Sequence, residues 1–124
     1  MNSLKSQLIS FKCAWQGVIS SIQTQRHMKF HVLATIVVIS LGIWAHISVI
    51  EWMFLIVVIG MVLITEMINT AIESTVDLCT QEIHPLAKAA KDIAAGAVLV
   101  ASIVSLIIGY LIFLHPLDTV IQGG

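Results

Sequence analysis

The sequence predicts an all-α integral membrane protein, built from an N-terminal amphipathic helix at the membrane interface and three transmembrane helices. Of its 124 residues, 58% are hydrophobic and only 10% are charged, and the mean hydropathy is +1.00. So small a soluble domain would need more polar surface to cover its core. Three apolar stretches, at residues 30–50, 52–78 and 86–114, are each long enough to cross a bilayer.

A single membrane domain spanning residues 1–124 is expected, because no repeat, low-complexity segment or linker interrupts the sequence. We expect no cleavable signal sequence, since the first long apolar run lies beyond residue 29 and lacks a cleavage pattern. Cys13 and Cys79 have neither metal-binding nor redox spacing and are interpreted as free thiols.

Residues 3–24 predict the amphipathic helix. Their apolar side chains recur at alternating spacings of four and three residues, which places them within about 80° of one another on a helix. Basic and small polar side chains occupy the opposite face, as in helices that lie in the membrane interface. A helix docked on a bundle would show the same pattern, so this alternative stays open. The apolar stripe consists of Leu4, Leu8, Phe11, Trp15, Val18 and Ile22.

Residues 30–50 carry no charged side chain and form the first predicted span. His31 at its start and His46 near its end are tolerable at the interfaces. We interpret His46 as structural and leave the role of His31 open. A tight helical hairpin over residues 48–52 should follow, with Trp44 and Trp52 as interface anchors.

The second span, residues 52–78, is apolar as far as Ile64 and acidic beyond it. Glu66, Asn69, Glu73 and Asp77 fall within a sector of roughly 80° on one helix face. A charged carboxylate at membrane depth costs about 2.5–3.5 kcal/mol, and those that persist usually mark a functional site. The alternative, that this half of the helix emerges into water, is stronger for Asp77 than for Glu66.

The third span is predicted over residues 86–114, after a polar connection. Pro85 disfavours a helical His84 and suits the first turn of a new helix. The span should end at His115 and Pro116, and the tail to Gly124 is expected to be loose. Small residues that permit close helix packing lie at Ala94, Ala95, Gly96, Ala97 and Ala101.

The basic residues predict the orientation of the chain. All six Lys and Arg lie before residue 30 or between residues 79 and 92. The positive-inside rule therefore places the N-terminus and the 79–92 connection in the cytoplasm. The acidic stripe should then lie at the cytoplasmic leaflet of the membrane.

The polar residues collected there indicate phosphoryl transfer. Carboxylates bind Mg²⁺ together with phosphate oxygens, Lys and Arg bind phosphates, and an embedded acid can act as general base on a lipid hydroxyl. No glycine-rich phosphate-binding motif occurs. The collected residues are Glu66, Asn69, Glu73, Asp77, Glu82, His84, Lys91, Asp92, Arg26 and Lys29.

The motif Glu66-x-x-Asn69-x-x-x-Glu73-x-x-x-Asp77, followed by a second motif at residues 90–99, resembles the prokaryotic diacylglycerol kinase family over nearly the whole chain. The pattern Arg26-x-Met28-Lys29-x-His31 and the Ala94-Ala95-Gly96 detail are similar to the Gram-positive branch, whose members are undecaprenol kinases.

The resemblance implies a homotrimer that uses MgATP to phosphorylate a lipid alcohol, with undecaprenol as acceptor and diacylglycerol as the alternative. It implies that Glu66 is the general base, that Asn69 supports it and that Glu73 holds the metal. Residues implied to contact or organise the nucleotide and its phosphates are Asp77, Glu82, Ile83, His84, Lys91 and Asp92.

Two positions depart from the family pattern. Gln25 stands where the family carries a second metal-binding Glu, and it offers only an uncharged carbonyl. This predicts either weaker Mg²⁺ binding or a greater part for other acidic residues in holding the metal. Cys13 stands where an aromatic residue often lies near the nucleotide. These departures keep a catalytically weakened or silent membrane scaffold as an alternative function.

Other interpretations are weighed against the kinase. A proton-coupled or cation transporter would need polar residues across the outer half of the second span, and residues 52–64 supply none. Lys91 and Asp92 could simply be a charge pair where a helix begins. His84 could be an ordinary loop histidine.

Overall fold

The protein is described by a computed structural model over residues 2–114, all of whose regular elements are helices. Helices α2, α3 and α4 are each long and apolar enough to cross a membrane, which confirms the predicted all-α membrane class. The predicted third-span end at His115 and Pro116, and the tail beyond it, lie outside the described residues. The helices are α1 (Asn2–Thr24), α2 (Arg26–Trp44), α3 (Val49–Cys79) and α4 (Pro85–Phe113).

Helices α1 and α2 are separated by a single residue. Gln25 has an extended backbone (φ −102°, ψ 119°) and does not cap α2 with its side chain. Helix α1 buries none of its residues, and the apolar residues Leu4, Leu8, Phe11 and Trp15 are all more than half exposed. This part of the apolar stripe is therefore not covered by the chain's own helices.

The connection between α2 and α3 is shorter and lies earlier than predicted. Helix α2 ends at Trp44, whereas the uncharged run that predicted the first span continues to Ile50. The backbone N–H of His46 donates to Ile43 O, and that of Ile47 donates to Gly42 O. His46 has a left-handed φ of 52°, so the helix ends in a Schellman motif in which His46 occupies the position that favours glycine.

Helix α3 begins at once with a capping box. The Glu51 backbone N–H donates to Ser48 Oγ at 3.2 Å, and the Ser48 backbone N–H donates to Glu51 Oε1 at 3.0 Å. The one charged residue of the hairpin thus satisfies a backbone donor at the start of α3. Residues 45–48 are all that connect the two helices.

The core lies between α3 and α4, close to the hairpin. Leu55, Val58 and Ile112 form its buried cluster. Closer to the start of α4, Ala94 and Ala101 are buried. The other members of the predicted small-residue face are not packed closely within the described residues, since Ala95 and Ala97 are exposed and a Cβ atom at Gly96 would meet nothing within 4 Å. The opposite end of the bundle, where α2 begins, α3 ends and α4 begins, carries most of the ionisable side chains. We refer to it as the polar end.

Candidate active site

The deepest ionisable group at the polar end is the carboxylate of Glu66, on α3. The residue is 5% exposed, although its neighbours on α3 are mostly apolar. Its Oε2 atom lies 3.6 Å from Nε2 of His31, on α2. Glu66 is thus a buried acid inside the helix bundle.

Asn69 and Glu73 continue the same face of α3, one and two turns beyond Glu66. Asn69 Nδ2 donates to Glu73 Oε1 at 3.3 Å. Asn69 Oδ1 is buried and has no hydrogen-bond partner among the described residues. Such an orphaned acceptor is costly unless a ligand, a water molecule or another chain satisfies it.

Exposure rises along this face towards the end of α3. Glu66 and Asn69 are buried, Glu73 is half-buried and Asp77 is exposed. Glu66 and Asp77 are eleven residues apart, which corresponds to about 16 Å along the helix axis. The face thus runs from a buried acid to a water-accessible one, with Glu73 between them.

Asp77 opens onto a surface cavity of about 300 Å³ between the end of α3 and the start of α4. This is at the small end of the range for ligand pockets. Six of the residues implied by the family resemblance to contact the nucleotide line this cavity: Asp77, Glu82, Ile83, His84, Lys91 and Asp92.

Two ion pairs connect residues around the cavity. Lys91 Nζ contacts Asp77 Oδ1 across the two helices, and Lys88 Nζ lies 2.6 Å from Asp92 Oδ2. Lys91 and Asp92 therefore do not pair with each other at the start of α4. Each instead pairs with another residue, and both Lys91 and Lys88 present ammonium groups at the cavity wall.

His84 has a structural contact in addition to its place on the wall. Its Nδ1 accepts a hydrogen bond from the Leu86 backbone N–H at 3.1 Å and so caps α4. Because Nδ1 accepts, the proton of a neutral His84 ring resides on Nε2. The exposed side chain can therefore cap the helix and still donate a hydrogen bond to an anion.

Three of the predicted nucleotide or metal residues do not line the cavity. Glu73 lies deeper on α3, Cys13 is an exposed free thiol on α1, and Gln25 Nε2 donates to Thr24 Oγ1 at 3.4 Å. The described residues thus form the cavity and, deeper on α3, the Glu66–Glu73 face, and they bring neither Cys13 nor Gln25 to the cavity.

The available side-chain oxygens suit a Mg²⁺ ion that is also bound by phosphates. They suit a metal ion held by protein ligands alone less well. No group of three or more His, Cys, Asp or Glu side chains within residues 2–114 is arranged to hold a metal ion. Mg²⁺ needs only one or two carboxylates when phosphates and water complete its octahedron. The Glu73 carboxylate beside the orphaned Asn69 carbonyl fits that requirement.

The sequence analysis did not assign a role to two residues that the structure places here. Lys88 lines the cavity, and its spacing of four residues before Asp92 was the available signal. His31 contacts Glu66, and its signal was an ionisable ring within an otherwise uncharged run. Its partner could not be read from the sequence, because it lies on another helix.

Known proteins match this chain over most of its length. Residues 12–113 match the prokaryotic diacylglycerol kinase family. The chain is 47% identical over 116 residues to the undecaprenol kinase of Bacillus subtilis (strain 168), covering 94% of each chain. It is 43% identical over 111 residues to a diacylglycerol kinase of Synechocystis sp., covering 89% of this chain and 63% of the relative. The diacylglycerol kinase of Escherichia coli (strain K12) is 31% identical over 94 residues, covering 76% of this chain and 77% of that one.

Proposed function

The chain belongs to the prokaryotic diacylglycerol kinase family, and on that basis we propose that it transfers the γ-phosphate of ATP to undecaprenol, forming undecaprenyl phosphate. It is a membrane lipid kinase. The observation that carries the choice of acceptor is the 47% identity, over 94% of both chains, to a protein named undecaprenol kinase. Relatives named diacylglycerol kinases are 43% and 31% identical, so diacylglycerol is the second candidate acceptor.

Glu66 is proposed as the general base. Its carboxylate would take the proton of the lipid hydroxyl, whose oxygen then forms a bond to the γ-phosphorus while the bond to the bridging oxygen of ADP breaks. Supporting this role, Glu66 is buried inside the helix bundle, deeper than the exposed Asp77. A base at that depth is shielded from water, which would otherwise compete with the lipid for the phosphoryl group.

Asn69 is proposed to support the reacting groups. Its Nδ2 atom already contacts Glu73, which leaves the buried Oδ1 as an acceptor for a hydroxyl or a metal-bound water. Because Asn69 is one turn from both Glu66 and Glu73, it can fix the position of the lipid hydroxyl relative to the metal.

The nucleotide is proposed to occupy the cavity between α3 and α4, with its phosphates extending along α3 towards Glu73. Lys91 and Lys88 supply positive charge on the cavity wall, and the Nε2–H of His84 can donate to a phosphate oxygen. Asp77 holds Lys91 in place before the nucleotide arrives. The roughly 16 Å between Asp77 and Glu66 leaves room for a triphosphate between the two ends of the site.

Mg²⁺ is proposed to be held by Glu73, with Gln25 as a weaker second contact. When bound, the metal would neutralise charge on the β- and γ-phosphates during transfer. Glu73 is half-buried, so its carboxylate can meet a partly hydrated ion without complete loss of solvent. The uncharged Gln25 contributes less attraction than a carboxylate would.

We further propose that the active enzyme is a homotrimer in the bacterial plasma membrane, with its N-terminus and active site facing the cytoplasm. The orphaned Asn69 acceptor and the unassembled Gln25 and Cys13 positions support an assembly in which neighbouring chains complete the site. The distribution of Lys and Arg supports the orientation.

The proposal is tested by phosphate transfer from radiolabelled MgATP in detergent micelles, with undecaprenol and diacylglycerol as parallel acceptors. We expect label in undecaprenol, and we expect Glu66→Gln to reduce kcat by at least about 100-fold, the usual contribution of a general base. Glu51→Gln is the matched control. It makes the same change at the other end of α3, where glutamine still suits a capping box.

Faster labelling of diacylglycerol would correct the acceptor and retain the kinase mechanism. Full activity in Glu66→Gln would remove Glu66 from the role of base. If the folded natural protein labels neither lipid, the proposed reaction fails, and the departures at Gln25 and Cys13 then favour the scaffold.

A further inference from the structure

The contact between His31 and Glu66 points to a function for a residue outside the catalytic set proposed above. The side chains of His31 and Glu66 are 16% and 6% exposed, and their facing atoms, Nε2 and Oε2, lie 3.6 Å apart. Among residues 2–114, no Lys or Arg lies within ion-pairing distance of the Glu66 carboxylate. His31 is therefore the cationic or N–H-bearing partner available to this acid within the described chain.

The helix packing determines this contact. Helices α2 and α3 run antiparallel from the hairpin, where Gly42 lies against the Trp52 ring. The same pairing brings the second turn of α2, which contains His31, beside Glu66 of α3. The hydroxyl of Thr35, one turn along, donates to the His31 backbone carbonyl at 2.7 Å, so it does not compete for the imidazole.

The Phe30 ring meets the His31 ring edge to face, at a centroid distance of 5.7 Å and an interplanar angle of 74°. This contact restricts the plane of the imidazole. A ring held in this orientation can keep Nε2 directed at Oε2 of Glu66.

A general base must hold one carboxylate oxygen in a fixed direction towards the substrate hydroxyl. An N–H group beside the other oxygen can fix the orientation of the carboxylate. At 3.6 Å the contact is longer than a hydrogen bond, and catalytic hydrogen bonds often shorten only when substrate binds. The other oxygen, Oε1, is then left to accept the proton of the lipid alcohol.

We propose that His31 is a positioning residue, whose Nε2 orients the Glu66 carboxylate. This inference rests on the proposed role of Glu66 as general base. Since the ring acts on Glu66 and not on either substrate, its loss should lower kcat and leave both KM values unchanged.

The first test replaces His31 with Phe, which keeps a planar ring and removes both ring nitrogens, including Nε2. We expect kcat to fall by about 10- to 100-fold. This loss is smaller than the one expected when the base itself is removed. The KM values for MgATP and for the lipid alcohol should change by less than about twofold. His31→Gln, whose amide N–H can replace the imidazole donor, should recover at least part of the loss. The control is His27→Phe, an exposed histidine one turn earlier on α2.

The second test combines His31→Phe with Glu66→Asp. The shorter Asp side chain withdraws the carboxylate from His31, so removing the ring should now cost less than about twofold. A purely structural role for His31 would produce the same loss in both backgrounds. Size-exclusion chromatography and thermal unfolding in detergent would establish that each variant is folded.

Each result separates this inference from the kinase proposal. If Glu66→Gln is inactive but His31→Phe retains its kcat, the inference is overturned and Glu66 remains the base. If Glu66→Gln is active, the proposed mechanism itself fails. A raised KM for either substrate at constant kcat, or failure of both His31 variants to fold, would also exclude the positioning role.

Discussion

At the scale of the residue, Gln25 is the position whose side chain should set the strength of metal binding. It is the single extended residue between α1 and α2, and its amide contacts only the neighbouring Thr24 through a long hydrogen bond. That amide carries no charge, so a carboxylate at the same place would attract Mg²⁺ more strongly.

We therefore expect Gln25→Glu to lower the Mg²⁺ concentration needed for half-maximal kinase rate by about fivefold, equivalent to roughly 1 kcal/mol. The measurement is the initial rate at fixed ATP across a Mg²⁺ titration. Gln23→Glu, which adds the same charge within α1, is the control and should leave the Mg²⁺ dependence unchanged. An unchanged titration curve for Gln25→Glu would remove Gln25 from the metal site.

Within one helix, the sequence is sufficient to predict which polar residues meet. Helical periodicity placed Asn69 and Glu73 on one face, and the structure joins them by a hydrogen bond. It cannot predict which residue meets Glu66 from another helix, because that depends on the relative positions of α2 and α3. His31 was left open for this reason, and the pairing of Lys91 with Asp77 likewise requires the packed helices.

At the scale of the element, the close approach of α2 to α3 depends on Gly42. A Cβ atom at this position would lie 2.8 Å from Cη2 of Trp52 and 3.2 Å from Cδ1 of Ile47. The Trp52 ring and Ile47 are themselves packed against the Leu55 and Val58 core, so a shift of either side chain would disturb that packing.

Gly42→Ala should therefore destabilise the protein by about 1–2 kcal/mol, the cost of moderate overpacking. Thermal unfolding in detergent would show a lower midpoint. Gly109→Ala is the matched control, because a Cβ atom there meets nothing within 4 Å among residues 2–114. Adding Trp52→Phe to Gly42→Ala should recover part of the loss, and equal stability of the two alanine variants would contradict the role of Gly42.

The number, order and type of the helices could be predicted from the sequence, because apolar length and amphipathic spacing are local properties. The predicted end of α2 was too late in the chain, because an uncharged run shows which residues lipid can surround and does not show where a helix ends. Other features mark the end of α2 and the start of α3. A Ser48-x-x-Glu51 capping box begins α3, and a left-handed His46 ends the preceding helix, although histidine gives little warning of that conformation.

At the scale of the whole molecule, the two native cysteines report the orientation of the chain. Cys13 on α1 and Cys79 at the end of α3 are both exposed and free. The orientation proposed from the distribution of basic residues would put both on the cytoplasmic side.

A membrane-impermeant maleimide should therefore label neither cysteine in intact spheroplasts and should label both after permeabilisation. The control is Ala45→Cys, in a background with both native cysteines changed to Ser. Its thiol would lie in the exposed hairpin between α2 and α3 and should react in intact spheroplasts. Labelling of Cys79 without permeabilisation would reverse the proposed orientation. The number of chains in the assembly is a separate property, which the contacts of one chain do not determine.

The short hairpin also bears on how the newly made chain enters the bilayer. Only residues 45–48 separate α2 from α3, and Glu51 is the one charged side chain between residues 30 and 65. With the proposed orientation, the two helices can insert together as a preformed pair that carries a single acid across the hydrocarbon layer. Residues 45–48 are too few to form a hydrophilic domain that must be exported, so the α2–α3 pair can serve as one unit of membrane integration.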